Sequence, residues 1–158
     1  MPRTNSLVDQ LQRDFADITF VTGDDFVWSP RERTITYRPL LEEVDTSSVL
    51  HELAHANLGH TTFTSDIELI GKEAEAWQHA IDTLAPRYSH LISIDYVDEQ
   101  LDSYRDWLHN RSRCPTCRQT GIQNATQASQ YNCLNCSAEW RVNDARRCAL
   151  RRYSLTKS

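Results

Sequence analysis

The chain has 158 residues, 39% of them hydrophobic and 25% charged, a composition that indicates a folded globular protein and excludes a disordered or fibrous one. No apolar stretch approaches the roughly 20 residues that cross a bilayer, and the first residues carry charges where a signal peptide has an apolar core, which predicts a cytoplasmic protein without membrane contact. The net charge of −5 is divided unevenly. Residues 1–109 hold 8 basic and 20 acidic residues, whereas residues 110–158 hold 9 basic and 2 acidic ones. We therefore expect two domains, 1–109 and 110–158.

The N-terminal part predicts a helix followed by a small sheet. Apolar residues recur at helical spacing over residues 5–17. Three short segments rich in β-branched and aromatic residues follow at 18–21, 25–28 and 34–37, separated by turn-forming residues. This pattern predicts a small antiparallel sheet in an α+β domain.

Two helices follow the sheet, and each carries a motif. Ser47 or Ser48 is expected to cap the first, which runs to about Leu58 before Gly59 ends it in a left-handed turn. The second is expected to begin at the capping box of Ser65 and Glu68 and to end at Pro86.

The remaining elements are less regular. Residues 87–96 fit a strand or a loop equally well, and an apolar stripe from Val97 to Leu108 predicts another helix. The polar run 109–113 is expected to be a linker. The tail, 145–153, is expected to form a basic helix.

Residues 51–55 read His-Glu-Leu-Ala-His, an H-E-x-x-H motif. On a helix, positions i and i+4 lie about 40° apart, so His51 and His55 can bind one zinc ion while Glu52 faces the attacking water. Zinc acidifies water, and a carboxylate within reach can take its proton and pass it to a leaving amine. The motif predicts peptide-bond hydrolysis.

A catalytic zinc needs a third protein ligand, and three residues are candidates. Glu73 lies near the apolar face set by Ile70, Ala74 and Trp77, whereas Glu75 faces away from it. His60 follows His55 by five residues, which departs from the spacing that metzincins require. The helical wheel favours Glu73 over Glu75, and the spacing argues against His60.

The strings HELAHANLGH and EAEAWQHA resemble the ImmA/IrrE-like gluzincin peptidases. The resemblance covers residues 5–86, makes Glu73 the third ligand, and implies limited cleavage of a regulatory protein such as a transcriptional repressor. At the position of Trp77, gluzincins often have an Asp or Asn that orients a histidine ligand. Another group must orient that histidine in this protein. Four residues could stabilise the tetrahedral oxyanion: Tyr88, His90, Tyr96 and His60.

All five cysteines lie between residues 114 and 148. Cys114, Cys117, Cys133 and Cys136 form two C-x-x-C pairs separated by 15 residues, the spacing of a zinc ribbon. Four thiolates close the coordination sphere, so we expect a structural zinc besides the catalytic one, with Tyr131, Trp140 and Val142 lining the strands. Cys148 is expected to be a packing residue.

Arginines surround the predicted ribbon, and the tail cluster could bind nucleic acid or an acidic partner. A peptidase with a C-terminal zinc ribbon also resembles the SprT-like DNA-associated proteases, but those take a third histidine ligand. The remaining alternative is a non-catalytic module in which both zinc ions are structural. The candidate arginines are Arg146, Arg147, Arg151 and Arg152.

Overall fold

The computed structural model describes residues 4–62, 65–143 and 152–155 and has an α+β architecture. The chain divides into two compact units, one of residues 1–62 and 72–98 and the other of residues 63–71 and 99–158. The second unit contains the whole of segment 110–158 together with two earlier stretches of chain.

The first unit begins with α1 (Thr4–Asp14) and a three-stranded sheet of β1 (Thr19–Thr22), β2 (Val27–Ser29) and β3 (Thr34–Tyr37). The strand order is β1-β3-β2. β2 and β3 form an antiparallel hairpin, but β1 pairs with β3 in parallel. The prediction of an antiparallel sheet was therefore wrong for β1, and the sheet is mixed.

The connection between β1 and β2 explains this arrangement. The N–H of Gly23 donates to the carbonyl of Tyr37 at 2.8 Å, so the chain leaving β1 stays against β3. A Cβ atom on Gly23 would lie 2.4 Å from Thr36 Cγ2, so only glycine permits this approach. The connection then crosses the end of β3 and places β2 on its far side, where the sequence had indicated a simple hairpin turn.

The helix that carries the H-E-x-x-H motif, α2, spans Glu43–Asn57. Its start is set by Asp45, whose carboxylate accepts hydrogen bonds from two successive N–H groups before the helix at 3.1 and 2.9 Å. Ser47 and Ser48 lie inside the helix, and their hydroxyls donate to carbonyls one turn earlier. The prediction that one of them caps α2 was wrong, because the helix begins one turn earlier, where the Asp45 carboxylate accepts the N–H of the N-cap residue Glu42.

The second motif helix, α3, spans Asp66–His79 and continues as a π-helical turn over Ala80–Leu84 and the short α4 over Ala85–Arg87. The Ser65 hydroxyl accepts the N–H of Glu68 at 3.1 Å, as the predicted cap requires. Because Pro86 has no N–H to donate, the helix widens just before it and ends one residue after it.

After the loop at residues 88–93, the helix α5 spans Ile94–Ser112 and is longer than predicted at both ends. The predicted linker at 109–113 was wrong, since residues 109–112 form the last turn of α5. Arg111 is buried there, where its guanidinium donates to Asp66 at 3.1 Å and lies 4.5 Å from the centre of the Trp107 ring. A polar run indicates a linker only when its charges face water. The charge of Arg111 is instead buried and paired with Asp66.

An apolar core surrounds the inner face of α2 in the first unit. The helix packs on β2, β3 and the π-helical turn, which bury the side chains that share its apolar face. Burying each large apolar side chain contributes about 1.5–3 kcal/mol, so this core contributes several times that amount to holding α2 in place. The fully or almost fully buried members include Leu11, Ile18, Ile35, Val49, Leu50, Leu53 and Leu84.

The second unit contains a four-stranded antiparallel sheet in the order β4-β5-β6-β7. Its strands are short, and burial alternates along β6. The strands are β4 (Ile122–Gln123), β5 (Gln130–Asn132), β6 (Glu139–Val142) and β7 (Arg152–Ser154).

The three residues predicted to line these strands are buried. The ring of Trp140 stacks on Tyr131 at 5.8 Å, its Nε1 donates to the carbonyl of Arg111 at 2.9 Å, and Val142 packs in the same cluster. A Cβ atom on Gly121 would lie 2.3 Å from Trp140 Cη2, so glycine is required for the strand to pass over the indole.

The predicted helix at 145–153 lies mostly outside the described residues, since 144–151 are not among them. Its last two residues, Arg152 and Tyr153, belong to β7, so the prediction was wrong there. Tyr153 pairs with Arg141 of β6, whose guanidinium lies 4.9 Å from the tyrosine ring, and such a cross-strand contact favours a strand.

No helix in residues 4–62, 65–143 and 152–155 combines the length and the apolar character needed to cross a bilayer.

Two candidate metal centres

Three buried side chains of the first unit bring metal-ligating atoms together. His51 and His55 lie one turn apart on α2, Glu73 lies on α3, and their ligand atoms are all within 4.8 Å of one another. His51 Nε2 is 2.8 Å from one carboxylate oxygen of Glu73, and His55 Nε2 is 3.2 Å from the other. The two Nε2 atoms are 3.1 Å apart.

These separations fit a metal ion. Zinc binds imidazole nitrogen at about 2.0–2.1 Å, so two ligand atoms of a tetrahedral site lie about 3.3 Å apart. The observed separations of 2.8, 3.1 and 3.2 Å are close to that value. Two imidazoles and one carboxylate are also the donor set of a zinc centre with one open position. The cluster is therefore compatible with zinc.

Burial and pairing set the protonation of the cluster. Burial lowers the pKa of His51, which keeps its ring neutral. Burial raises the pKa of Glu73, but hydrogen bonds from His51 and His55 outweigh this and hold the pKa far below its usual range. For His55, burial lowers the pKa, but the hydrogen bond and charge of Glu73 raise it overall. An ionised Glu73 thus faces two imidazoles, and a divalent cation can replace the protons that they share.

Glu52 lies beside this cluster and makes one backbone contact. Its Oε2 accepts the N–H of Trp28, on β2, at 2.9 Å. Burial raises the pKa of Glu52 to about 7. A carboxyl group with a pKa near neutrality can both accept and release a proton at physiological pH, which a general base must do. The hydrogen bond from Trp28 could not be read from the sequence, because it joins residues 24 positions apart.

The other two candidates for the third ligand lie outside the cluster. His60 approaches His55 from the far side, where the two Nδ1 atoms are 2.9 Å apart. The side chain of Glu75 is 67% exposed, and its Oε2 is 3.1 Å from His60 Nε2. His60 and Glu75 therefore extend outward from His55 as a hydrogen-bonded chain. Sequence reasoning missed this chain, although Gly59 signalled the turn that forms it.

Trp77 occupies the position at which gluzincins often have an Asp or Asn. Its ring stacks on His51, with centroids 4.1 Å apart and planes inclined by 20°, and Tyr96 packs edge-on against it at 5.8 Å. Within the described part of the chain, His51 Nδ1 has no hydrogen-bond partner. Packing against an indole therefore orients His51, where a carboxylate would otherwise do so by hydrogen bonding.

The four residues considered for oxyanion stabilisation are engaged elsewhere. Three of them hydrogen-bond to groups outside the His51, His55 and Glu73 cluster, and the fourth is His60. The structure thus points to none of them as the oxyanion donor. The three contacts are Tyr88 to Asp14 at 2.6 Å, His90 to Ser47 at 2.8 Å and Tyr96 to Ser48 at 3.0 Å.

The second centre lies in the second unit, where four cysteine sulfurs are within 4.8 Å of one another. The Sγ atoms of Cys114 and Cys136 are 3.6 Å apart, and those of Cys117 and Cys133 are 3.5 Å apart. All four are free thiols. With Zn–S bonds of about 2.3 Å, sulfurs of a tetrahedral site lie about 3.8 Å apart, so this cluster is also compatible with zinc.

Two matching turns present these thiols. The N–H groups of Arg118 and Ser137 each donate to the carbonyl of the first cysteine of their turn at 3.0 Å. Each first cysteine, Cys114 or Cys133, donates its own N–H to the carbonyl five residues later at 2.8 Å. Arg118 and Ser137 have φ values of 66° and 64°, in the left-handed region that glycine favours. The sequence has no glycine there and so gave no sign of this geometry.

Backbone N–H groups also prepare the sulfurs for metal binding. The N–H groups of Thr116 and Cys117 point at Cys114 Sγ over 3.4 and 3.5 Å. Burial raises the pKa of the Cys114 thiol, but these two N–H groups outweigh it and lower the pKa overall. Metal ions bind the thiolate form, so this arrangement favours binding.

Of the arginines proposed to bind nucleic acid or a partner, only Arg152 is among the described residues. It is exposed, and its guanidinium donates to the carbonyl of Arg113. Arg111 is buried against Asp66, so its charge cannot meet a phosphate. Four residues with predicted roles lie outside the described residues: Arg146, Arg147, Arg151 and Cys148.

No protein-family model matches this sequence, and the searches of curated proteins and of solved structures returned no match.

Proposed function

We propose that the protein is a zinc-dependent peptidase in which His51, His55 and Glu73 hold the metal and Glu52 transfers the proton. The observation that carries the proposal is the buried convergence of three ligand atoms within 4.8 Å. It is supported by the neighbouring Glu52, whose pKa is raised to about 7. A purely structural metal site has no need of a proton-transferring carboxylate beside it.

When bound, a zinc ion supplies a Lewis acid that polarises the scissile carbonyl and lowers the pKa of water. The Glu52 carboxylate takes the proton of the attacking water and delivers it to the leaving nitrogen as the C–N bond breaks. The N–H of Trp28 holds Oε2 of this carboxylate in place. Burial raises the pKa of Glu52, which favours its holding the proton between the two transfers, so the group can act first as a base and then as an acid.

The charge of the chain suggests where substrates dock. Residues 110–158 hold 9 basic and 2 acidic residues, and Arg118, Arg141 and Arg152 are exposed there. We propose that this basic segment attracts nucleic acid or an acidic protein and so concentrates substrates near the peptidase. A DNA-bound regulatory protein, such as a transcriptional repressor, fits both this charge and the resemblance to ImmA/IrrE-like gluzincins.

The test is the variant Glu52→Gln in protein that holds two zinc ions per chain. The amide keeps the size of the side chain and leaves the three ligands intact, so zinc content should not change. Peptide hydrolysis should fall by about 10²–10⁴-fold because the proton acceptor is lost. Incubation with a peptide mixture made from a whole proteome, followed by mass spectrometry of new N-termini, measures the cleavage whatever the substrate is.

A matched control is Glu99→Gln, which makes the same chemical change at an exposed position of α5. It should cleave as the unmodified protein does. Equal cleavage by Glu52→Gln would contradict the proposal. A fully zinc-loaded protein that produces no new N-termini would instead favour the non-catalytic module.

A further inference from the structure

We infer that His60 and Glu75 are positioning residues, which orient His55 toward the metal through a hydrogen-bonded chain from His55 to His60 to Glu75. The inference rests on the metal centre of the proposed function. It assigns a role to two residues that the peptidase chemistry leaves unused, and it needs no change in their charge.

The end of α2 explains why His60 meets His55. The N–H of His60 donates to the carbonyl of His55 at 3.0 Å, and the N–H of Gly59 donates to the carbonyl of Ala56 at 3.1 Å. These are the two bonds of a Schellman motif, and Gly59 supplies the left-handed residue with a φ of 69°. The motif brings the side chain after the glycine onto a side chain in the last turn of the helix. That contact is usually apolar, but here it joins two imidazoles.

The backbone of His60 is fixed on both sides. Besides its own N–H bond, its carbonyl accepts the indole Nε1–H of Trp28 at 3.2 Å. The side chain is only 11% exposed, so the ring cannot turn freely into water. A solvated surface histidine would have neither restraint.

The donors and acceptors of this hydrogen-bonded chain can be arranged in only one order. If His55 Nε2 binds a metal through its lone pair, a neutral ring must carry its proton on Nδ1 and donate it to His60 Nδ1, 2.9 Å away. His60 Nδ1 is then an acceptor, so its proton lies on Nε2. That nitrogen donates in turn to Glu75 Oε2, 3.1 Å away. Each donor meets an acceptor, and the chain ends at a carboxylate in water.

The two histidine ligands are therefore supported in different ways. His51 is held by the face of Trp77 and has no partner for Nδ1 among the described residues. His55 has a partner for Nδ1, which fixes its tautomer and its ring orientation. Loss of the hydrogen bond from His55 to His60 should therefore weaken metal binding by His55. His51 cannot compensate for that loss.

The first experiment measures zinc affinity and does not depend on peptidase activity. His60→Phe keeps a ring in place but removes the acceptor for His55 Nδ1. We expect it to weaken the His51, His55 and Glu73 site by about 10–100-fold, as measured by competition with a chromophoric chelator. Glu73→Ala identifies which zinc belongs to this site, and the four-cysteine zinc in the same sample reports that the rest of the chain is folded.

Further variants separate hydrogen bonding from packing. His60→Asn places an amide oxygen near the position of Nδ1 and should recover most of the affinity. Glu75→Gln keeps an acceptor for His60 and should lose less than Glu75→Ala. His109→Phe, an exposed site on α5, is the matched control and should leave the affinity unchanged. Equal affinities of the unmodified protein and His60→Phe would overturn the inference while leaving the zinc site itself established.

A second experiment observes the tautomers directly. Long-range ¹H–¹⁵N spectra of zinc-loaded protein should show His55 protonated on Nδ1 and His60 protonated on Nε2. A His60 ring protonated on Nδ1, or one that binds zinc itself, would overturn the inference. If Glu73→Ala binds as many zinc ions as the unmodified protein, the metal site fails and the proposed function fails with it.

Discussion

The two candidate centres differ in what holds their ligands together. His51 and His55 project from α2, a helix packed on an apolar core, so we expect their positions to be set before any metal binds. The cysteines project from two short turns in a segment whose core cluster includes two of those cysteines, Cys114 and Cys133. If both centres bind zinc as proposed, the fold positions the ligands of the first ion, whereas the second ion is part of what keeps its segment folded.

The largest expected effect comes from removing each metal in turn. A chelator of moderate strength should empty the three-ligand centre first, because four thiolates bind zinc more tightly than an open site does. Far-ultraviolet circular dichroism should change little at that step, since the core around α2 remains and the helices with it. Removing the second zinc should unfold the cysteine segment, because structural zinc contributes about 10–16 kcal/mol of apparent binding energy.

Trp140 makes this second step visible. Its indole is fully buried against Tyr131 in the cysteine segment, so in protein labelled with 5-fluorotryptophan the ¹⁹F resonance of Trp140 should shift only when the second zinc leaves, whereas Trp77, stacked on His51, reports the first. Cys114→Ser should reproduce that shift in protein that still binds one zinc. The comparison fails if both zinc ions leave together, or if the first to leave changes the Trp140 signal.

A smaller effect concerns the buried ion pair of the second unit. Arg111 donates to Asp66 at 3.1 Å, and both side chains are nearly inaccessible to water. Burial raises the pKa of Asp66 in spite of Arg111, so the pair does not fully offset its own loss of hydration. Asp66→Asn should lower the free energy of unfolding by about 3–5 kcal/mol, because it leaves a buried guanidinium without its counter-charge.

The double variant Asp66→Asn with Arg111→Met sharpens that result. If the unpaired charge is the cause, the double variant should be more stable than Asp66→Asn alone when both are compared by urea unfolding with zinc bound. Additive losses would show that shape, not charge, matters at this position. Stability of the second unit would then depend on the metal and on apolar packing.

The smallest expected effect concerns how much the free energy of unfolding falls in acid because of a histidine outside the metal centres. His90 is partly buried and hydrogen-bonded to Ser47, and burial lowers its pKa. A histidine with a lowered folded pKa contributes stability that is fully present above the ordinary pKa of about 6.5 and is lost as pH falls below it. His90→Gln cannot titrate, so its stability should fall less than that of the unmodified protein between pH 7 and pH 5.5. Parallel losses in urea unfolding at the two pH values would contradict this assignment.

Much of the site could be predicted from local patterns. H-E-x-x-H places His51 and His55 on one helical face by periodicity alone, and the two C-x-x-C pairs indicate a cluster by spacing alone. The structure brings these residues together, and it places Glu73 with the two histidines. The histidine pair and the cysteine pairs depend on residues close together in sequence, whereas Glu73 was predicted from its place on the helical wheel and from the resemblance to gluzincins.

The errors concern features that depend on distant contacts. The parallel pairing of β1 with β3 is decided by the path of the chain after Gly23, and residue propensities do not encode such a path. The end of α5 looked like a linker because the partner of Arg111 lies 45 residues away in sequence. The start of α2 was misplaced because Asp45 and the two serines can all hydrogen-bond backbone groups at a helix start, and only tertiary packing decides at which residue the helix begins.

The Schellman turn after α2 also has a consequence for how this sequence can diverge. Its two hydrogen bonds fix the number of residues between His55 and His60, so an insertion or deletion there would break their contact. Gly59 is needed for the turn, and Glu75 has no role at the centre once His60 is gone. We expect these three positions to be inherited or lost as a set. Sequences with H-E-x-x-H-x-x-x-G-H should keep an acidic residue two positions after the glutamate ligand, whereas sequences with another residue in place of His60 should be free to vary at both other positions.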